Sequence, residues 1–183
     1  GSEMCIRDRL DWPPIMPYVT GLMNEKPHHH SSDAFVEYSS DQMGRGMGWH
    51  IDGHDNGYRG LGTPIPLLQL KIGYYLNDMT TPGQGNVSVV PGSHKSNIVH
   101  PVFKDGADSL DEVPAAVEIP LQSGDAACFV DCIAHGSARR INPGERRMLI
   151  IRYGPHWGTD RYGFQPSPEL IARLPPERRS IVH

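Results

Sequence analysis

The sequence predicts a mostly β domain, an antiparallel sandwich or barrel with a few short peripheral helices. Three observations carry that expectation. The 20 glycines and 17 prolines are spread through 183 residues and cut the chain into many short elements. Between these breaks lie runs of strand length, rich in β-branched and aromatic residues. No helix of crossover length separates one run from the next, which excludes a βαβ architecture. Among antiparallel folds, a double-stranded β-helix, the jelly-roll relative of the cupins, fits this punctuation.

Residues 1–9 read as a scar or non-native leader, with Gly1-Ser2 left by tag cleavage, so the expected domain spans 10–183. That length supports one sizeable core and is too short for two ordinary domains. Pro17 opens a short helix with Val19, Leu22 and Met23 on one face. His28-His29-His30 reads as a solvated loop. Ala34 to Ser39 forms a strand, and Gly44, Gly46 and Gly48 make a flexible approach to Trp49-His50-Ile51-Asp52. Leu67 to Leu76 has the composition of a buried strand. Its residues Gln69, Lys71 and Gly73 share one face, and Leu70, Ile72 and Tyr74 the other.

Asn77 to Gly85 contains Asn, Asp, Pro and Gly, hence a turn. Val87 to Val90 is β-branched and stops at Pro91-Gly92. Val117 to Leu121 is the next strand, then a turn at Ser123-Gly124-Asp125, then a strand from Ala126 to Asp131. Met148 to Tyr153 is a strongly apolar final strand. Ser167 caps a closing helix, Glu169 to Leu174, with Pro168 in its first turn.

Charged residues at 21% and hydrophobic ones at 38% place the chain among soluble globular proteins. A net charge of -4 argues against nucleic acid or an acidic membrane as a partner. No run approaches the roughly 20 apolar residues of a membrane span, and no secretory signal is visible. Cys5, Cys128 and Cys132 cannot all pair and fit no zinc or redox spacing. They read as thiols in a reducing, cytoplasmic setting.

The chemistry sits in His50-x-Asp52. On an extended segment these two side chains point the same way and can meet one cation. His135, at the far end of the Ala126–Asp131 strand, is positioned by a β-roll to return beside them. Two imidazoles and one carboxylate on one face of a metal leave the other face open, the facial triad of non-haem Fe(II) oxygenases. Arg146, at the start of the final strand, can grip a carboxylate with two parallel hydrogen bonds. It suits the far carboxylate of 2-oxoglutarate, with the Ser137 hydroxyl as a second donor and Lys71 as a further cosubstrate contact. Arg147 is the rival to Arg146, because a one-residue slip flips the face. Arg139 and Arg140 belong to the same basic cluster, part of which reads as surface charge. A polar loop of His54, Asp55, Asn56, Tyr58 and Arg59 is the expected pocket rim, with His156 and Trp157 near its mouth.

Trp49-His50-Ile51-Asp52-Gly53, Val90-Pro91-Gly92-Ser93-His94-Lys95, His135-Gly136-Ser137 and Arg146 together resemble the phytanoyl-CoA dioxygenase family, in order and spacing. Arg152-Tyr153-Gly154-Pro155 and Pro166-Ser167-Pro168-Glu169-Leu170 resemble bacterial members. The resemblance implies a double-stranded β-helix, Fe(II), 2-oxoglutarate and O2. It also implies His50, Asp52 and His135 as ligands, Arg146 as cosubstrate anchor, and hydroxylation of a small molecule with succinate and CO2 as coproducts. His94 belongs to a family motif without being a ligand there, and its turn reads as structural. Halogenases of the family replace the carboxylate ligand with a small residue, so Asp52 favours hydroxylation. Family members carry a longer N-terminal region than the 48 residues before Trp49, so the expected domain is either an N-terminally truncated fragment or a minimal version. On the residues alone, two other readings stay open. One is a cupin-like zinc or manganese isomerase or hydrolase, and the other a non-catalytic β-sandwich binding module.

Overall fold

A computed structural model of the chain describes residues 8–23, 26–38, 47–52, 58–96, 113–158 and 165–182. In chain order the elements are α1 (Met16–Met23), β1 (Pro27–Tyr38), β2 (Met47–His50), β3 (Leu70–Tyr75), β4 (Val87–Val89), β5 (Val117–Glu118), β6 (Ala126–Val130), β7 (His135–Ser137), β8 (Glu145–Pro155), α2 (Pro168–Arg173) and α3 (Pro176–Val182). Short 3-10 turns occupy Tyr58–Leu61 and Ser93–Lys95. The strands form two four-stranded sheets, ordered β1-β8-β3-β6 and β2-β7-β4-β5. Every strand pair in them is antiparallel. This is the double-stranded β-helix expected from the sequence.

Strand β8 shows why the architecture holds. Side chains of a strand alternate between faces. Leu149, Ile151 and Tyr153 join Leu70, Ile72 and Tyr74 of β3 under the helices, against Val19, Met23, Leu174, Ile181 and Val182. Met148 and Ile150 point the other way, into the space between the sheets, and meet Tyr75, Val87, Ala127 and Phe129. Both faces of this sheet are therefore covered, and all six residues of β3 are buried. Burying an aliphatic side chain of this size stabilises by about 1.5–3 kcal/mol, so Leu70, Ile72 and Ile151, each at 0% exposure, anchor the helical layer. Among the described residues no helix is long and apolar enough to cross a membrane.

Several boundaries differ from expectation, each for a physical reason. The first strand begins at Pro27 rather than Ala34, because His28-His29-His30 is not a solvated loop. His29 and His30 are both 6% exposed. The register of β1 on β8 slips between His29 and Ser31, which makes His30 the extra residue of a bulge. Its ring fills the space above Gly154 that a Cβ would need, and its Nε2 donates to the Pro155 carbonyl at 3.2 Å. In α1, Val19 and Met23 are buried as expected, but Leu22 is 51% exposed and off the core face. Only Val117–Glu118 of the Val117–Leu121 run pairs as a strand, and Leu121 makes an isolated bridge to Met79. The closing helix starts at Pro168, and Ser167 Oγ accepts from the Leu170 amide as anticipated. Helix α3 was not anticipated. Its signal was Pro176 followed by Glu177 in the first turn, with Ile181 and Val182 reaching the core.

Candidate metal centre

Strand register brings the two histidines together. His50 ends β2 and His135 begins β7, and they are direct cross-strand partners with ring centroids 4.2 Å apart. Asp52 follows two residues after His50, its amide donating to the Asp131 carbonyl at 3.1 Å. One Asp52 oxygen lies 3.7 Å from His50 Nε2, and the other 3.4 Å from His135 Nε2. One ligand atom from each residue falls within 4.8 Å of the others.

The histidines are also set in the tautomer a metal requires. His50 Nδ1 donates to the Gly48 carbonyl at 3.0 Å, and His135 Nδ1 to the Ile133 carbonyl at 2.8 Å. A proton fixed on Nδ1 leaves the Nε2 lone pair for a cation. Burial pushes the His135 imidazole down to about 3, helped by the charges of Lys71 and His50 and opposed by Asp52. It is therefore neutral at ordinary pH. Burial on its own would raise the Asp52 carboxyl, but Lys71, His135 and His50 outweigh it and hold the group below the usual carboxylate range. A neutral His135 imidazole and an ionised Asp52 carboxylate are donor states that metal binding needs. Atoms bound to one metal at about 2.0–2.2 Å sit roughly 3–3.5 Å apart, close to the 3.4 and 3.7 Å between Asp52 and the two histidines. The donor set fits Fe(II), and it fits zinc or manganese as well.

These residues open onto a cavity of about 130 Å³ between the sheets. That is room for several waters or a small organic acid, not for one water alone. Its polar wall comprises His50, Asp52, Lys71, His135, Ser137 and Arg152, and its apolar wall Phe35, Tyr75, Val87, Phe129, Met148 and Ile150. Phe129 packs beside the His135 ring, with centroids 5.1 Å apart. Lys71 is 3% exposed and ion-paired to Asp52, with its Nζ 3.5 Å from His135 Nε2. Burial lowers its pKa, and Asp52 opposes that shift.

Arg146 stands one contact behind this wall. Its Nη1 donates to Ser137 Oγ at 3.2 Å and to the Gly85 carbonyl. Glu37 of β1, its cross-strand partner, takes the other edge of the guanidinium, with Nε at 3.0 Å and Nη2 at 3.2 Å. Arg147 faces outward and pairs with Glu145. Gly85 has φ +81°, and a Cβ there would come within 3.0 Å of Arg146 Nη1, so the close approach requires glycine. Arg140 is buried, tied to the carbonyls of Glu37 at 3.0 Å and Gly144 at 2.5 Å.

The structure thus gathers His50, Asp52, His135, Lys71 and Ser137 at one cavity, with Arg146 behind Ser137. The expected rim residues fare differently. His54, Asp55 and Asn56 lie outside the described residues, as do the side chains of Tyr58 and Arg59. Trp157 is 68% exposed and does not line the cavity. Sequence reasoning missed two charged groups, Glu37 and Arg152. Both lie within expected strands, and the missing information was the pairing register that sets Glu37 opposite Arg146 and Arg152 opposite Lys71.

Three comparisons bear on this geometry. The family model for phytanoyl-CoA dioxygenase matches residues 16–148. A dioxygenase of Talaromyces verruculosus, cdmD, is 28% identical over 99 residues. The match covers 54% of this chain and spans under a third of that relative's length, 30%. Among solved structures, HygX from Streptomyces hygroscopicus with nickel and 2-oxoglutarate bound aligns with a TM-score of 0.67 and 19% identity, covering 82% of this chain and 67% of that one. The non-haem α-ketoglutarate-dependent epimerase SnoN from nogalamycin biosynthesis aligns at 0.61 with 15% identity, covering 91% and 69%. At these identities the solved structures attest the fold.

Proposed function

The chain belongs to the phytanoyl-CoA dioxygenase family, and from that premise we propose an Fe(II)- and 2-oxoglutarate-dependent dioxygenase that hydroxylates a small organic molecule. One observation carries the reading. Ligand atoms from two imidazoles and a carboxylate, one from each, converge within 4.8 Å at a cavity whose wall also presents Ser137 and, behind it, Arg146.

In this reading His50, Asp52 and His135 hold the iron from one side and leave the cavity side for other ligands. Iron, 2-oxoglutarate and O2 together supply oxidation of an unactivated C–H bond, with succinate and CO2 as coproducts. The protein's part is binding and exclusion. Ser137 and the Nη1/Nη2 edge of Arg146 receive the far carboxylate of the cosubstrate, while Glu37 holds the opposite edge of the guanidinium still. Lys71, beside Asp52, balances negative charge next to the metal and offers a donor to the near end of the cosubstrate. Phe129, Met148 and Ile150 keep the floor apolar, which limits side reactions with water. A small-molecule substrate agrees with the solved relative HygX, which has been crystallised with hygromycin B. Asp52 fills the carboxylate position, which supports hydroxylation over halogenation. SnoN, an epimerase, marks epimerisation as the outcome to test against.

The test is anaerobic addition of Fe(II) and 2-oxoglutarate, watched for the weak visible charge-transfer band of the chelate. The band is expected in the wild type and absent in the double variant His50→Ala/His135→Ala, which removes both imidazole donors. Iron binding without a band would overturn the reading in favour of a cupin-like metalloenzyme. Failure to bind iron at all would leave a binding module.

A further inference from the structure

The inward face of β8 carries a cation at each end, Arg146 and Arg152, with apolar Met148 and Ile150 between them. The two arginines are neutralised differently. Arg146 is gripped along one edge by Glu37, whose side chain is 18% exposed. Arg152 is itself largely buried, at 11%, but its counter-ion Asp33 is 43% exposed, with Nη2 to Oδ2 at 2.5 Å. Ser31 Oγ accepts from Nη1 at 3.3 Å. Those contacts engage two of the five N–H groups of the guanidinium.

Arg152 also stands directly across from Lys71 in the sheet, and both line the cavity. Like charges placed opposite one another on a sheet are destabilising, and the Lys71–Asp52 ion pair relieves only the Lys71 half of that. An ion pair to an exposed carboxylate offsets little of that, about 0–1 kcal/mol. An apolar residue here would continue the Met148–Ile150 surface at no such cost. The arrangement makes physical sense if the cavity receives an anion. We propose that Arg152 is the anchor for an anionic oxygen-acid group, carboxylate or phosphate, on the small molecule to be oxidised, and that Asp33 is displaced when it binds. This rests on the oxygenase reading for the identity of the reaction, though the anion site itself does not. It divides β8 between two anions, with the cosubstrate at Arg146 and the substrate at Arg152 beside the metal-facing Lys71.

The experiment uses the protein loaded anaerobically with Fe(II) and saturating 2-oxoglutarate, so that the Arg146 end is occupied. It is titrated with phenylacetate, phenyl phosphate and the neutral phenylacetamide. Thermal unfolding and the chelate band are read separately. One charge-assisted contact predicts that an anion binds about 10- to 100-fold more tightly than the amide. The preferred anion of the two names the acid group. Arg152→Gln should erase the advantage, and Asp33→Asn should tighten anion binding several-fold. Equal binding of anion and amide by the wild type would overturn the proposal. So would an unchanged anion preference in Arg152→Gln, or a chelate band lost in that variant, which would assign the arginine to the cosubstrate. If Arg152→Gln does not fold, Asp33→Asn decides, and unchanged affinity there overturns it. If the wild type gives no chelate band, the oxygenase reading fails. Thermal shifts of the metal-free protein with the same three probes then decide Arg152 on its own.

Discussion

Arg146 and Arg147 are adjacent in sequence and opposite in environment, so replacing each by Met gives a controlled pair. Arg146 is buried, with a two-point contact to Glu37 and further bonds to Ser137 and Gly85. Removing it strands the Glu37 carboxylate, which is only 18% exposed. Breaking such a pair by deleting one partner costs about 3–5 kcal/mol, and residual water at Glu37 points to the lower end, about 3. Arg147 is 53% exposed and pairs with a Glu145 that is 34% exposed, so its loss should cost under about 1 kcal/mol. The assay is urea unfolding of both variants and of the double variant Glu37→Met/Arg146→Met. Removing both charges leaves no stranded carboxylate, so the double variant should regain more than half of the single loss. The cosubstrate titration runs in parallel. Losing two charge-assisted contacts predicts 2-oxoglutarate binding weaker by about 100-fold or more in Arg146→Met, and within about twofold of wild type in Arg147→Met. Equal destabilisation by the two single variants, or a double variant no better than Arg146→Met, would refute the reasoning from burial and pairing.

Two further outcomes follow from the start of β1. Gly154→Ala places a methyl group where the His30 ring lies, and should destabilise by about 1–3 kcal/mol in urea unfolding unless the bulge rearranges. A loss that disappears in the double variant His30→Ala/Gly154→Ala would locate the clash, and a persistent loss would refute it. His29 is held down to about 4, first by burial and then by the charges of His28 and His30. The unfolded chain, with a pKa near 6.5, binds the proton first, so this contribution is complete above pH 6.5 and is lost as pH falls toward 4. The loss is about 3 kcal/mol at most and about 2 by pH 5. His29→Asn should flatten the wild-type slope by that amount, and parallel stability curves from pH 7 to 5 would contradict the assignment.

Legibility in the sequence followed the range of the forces involved. Strands bounded by Gly and Pro could be read because turn chemistry is local, and β3, β4, β6 and β8 fall within or over the expected runs. The His50-x-Asp52 pair was legible from its spacing, but strand alternation does not set its geometry: β2 ends at His50, and Asp52 lies in the turn beyond it, held by its amide bond to the Asp131 carbonyl. What stayed hidden depends on partners far along the chain. His30 became buried only because β8 supplies Gly154 beneath it. Arg140 became buried because carbonyls of Glu37 and Gly144 surround its guanidinium. Composition rates histidine and arginine as exposed, and only the paired strand reverses that.

The same logic explains why the arginine at one end of β8 was foreseen and the other was not. Arg146 stands in a spacing that points to a cosubstrate carboxylate. Arg152 lies among apolar residues of the final strand, and only its cavity-facing register beside Lys71 gives it a chemical role. In a strand that alternates between a helical layer and a reactive cavity, each inward position is exposed to the chemistry and each outward one to packing. Leu149 and Ile151 should therefore tolerate apolar residues of equal volume, and Tyr153 only a group that keeps its hydroxyl bond to the Leu10 carbonyl, whereas on the proposed roles Arg146 and Arg152 should tolerate only groups that carry the same charge and fork. Substrate specificity should accordingly shift with changes at position 152 and its partner Asp33, while the fold should be governed by the outward face.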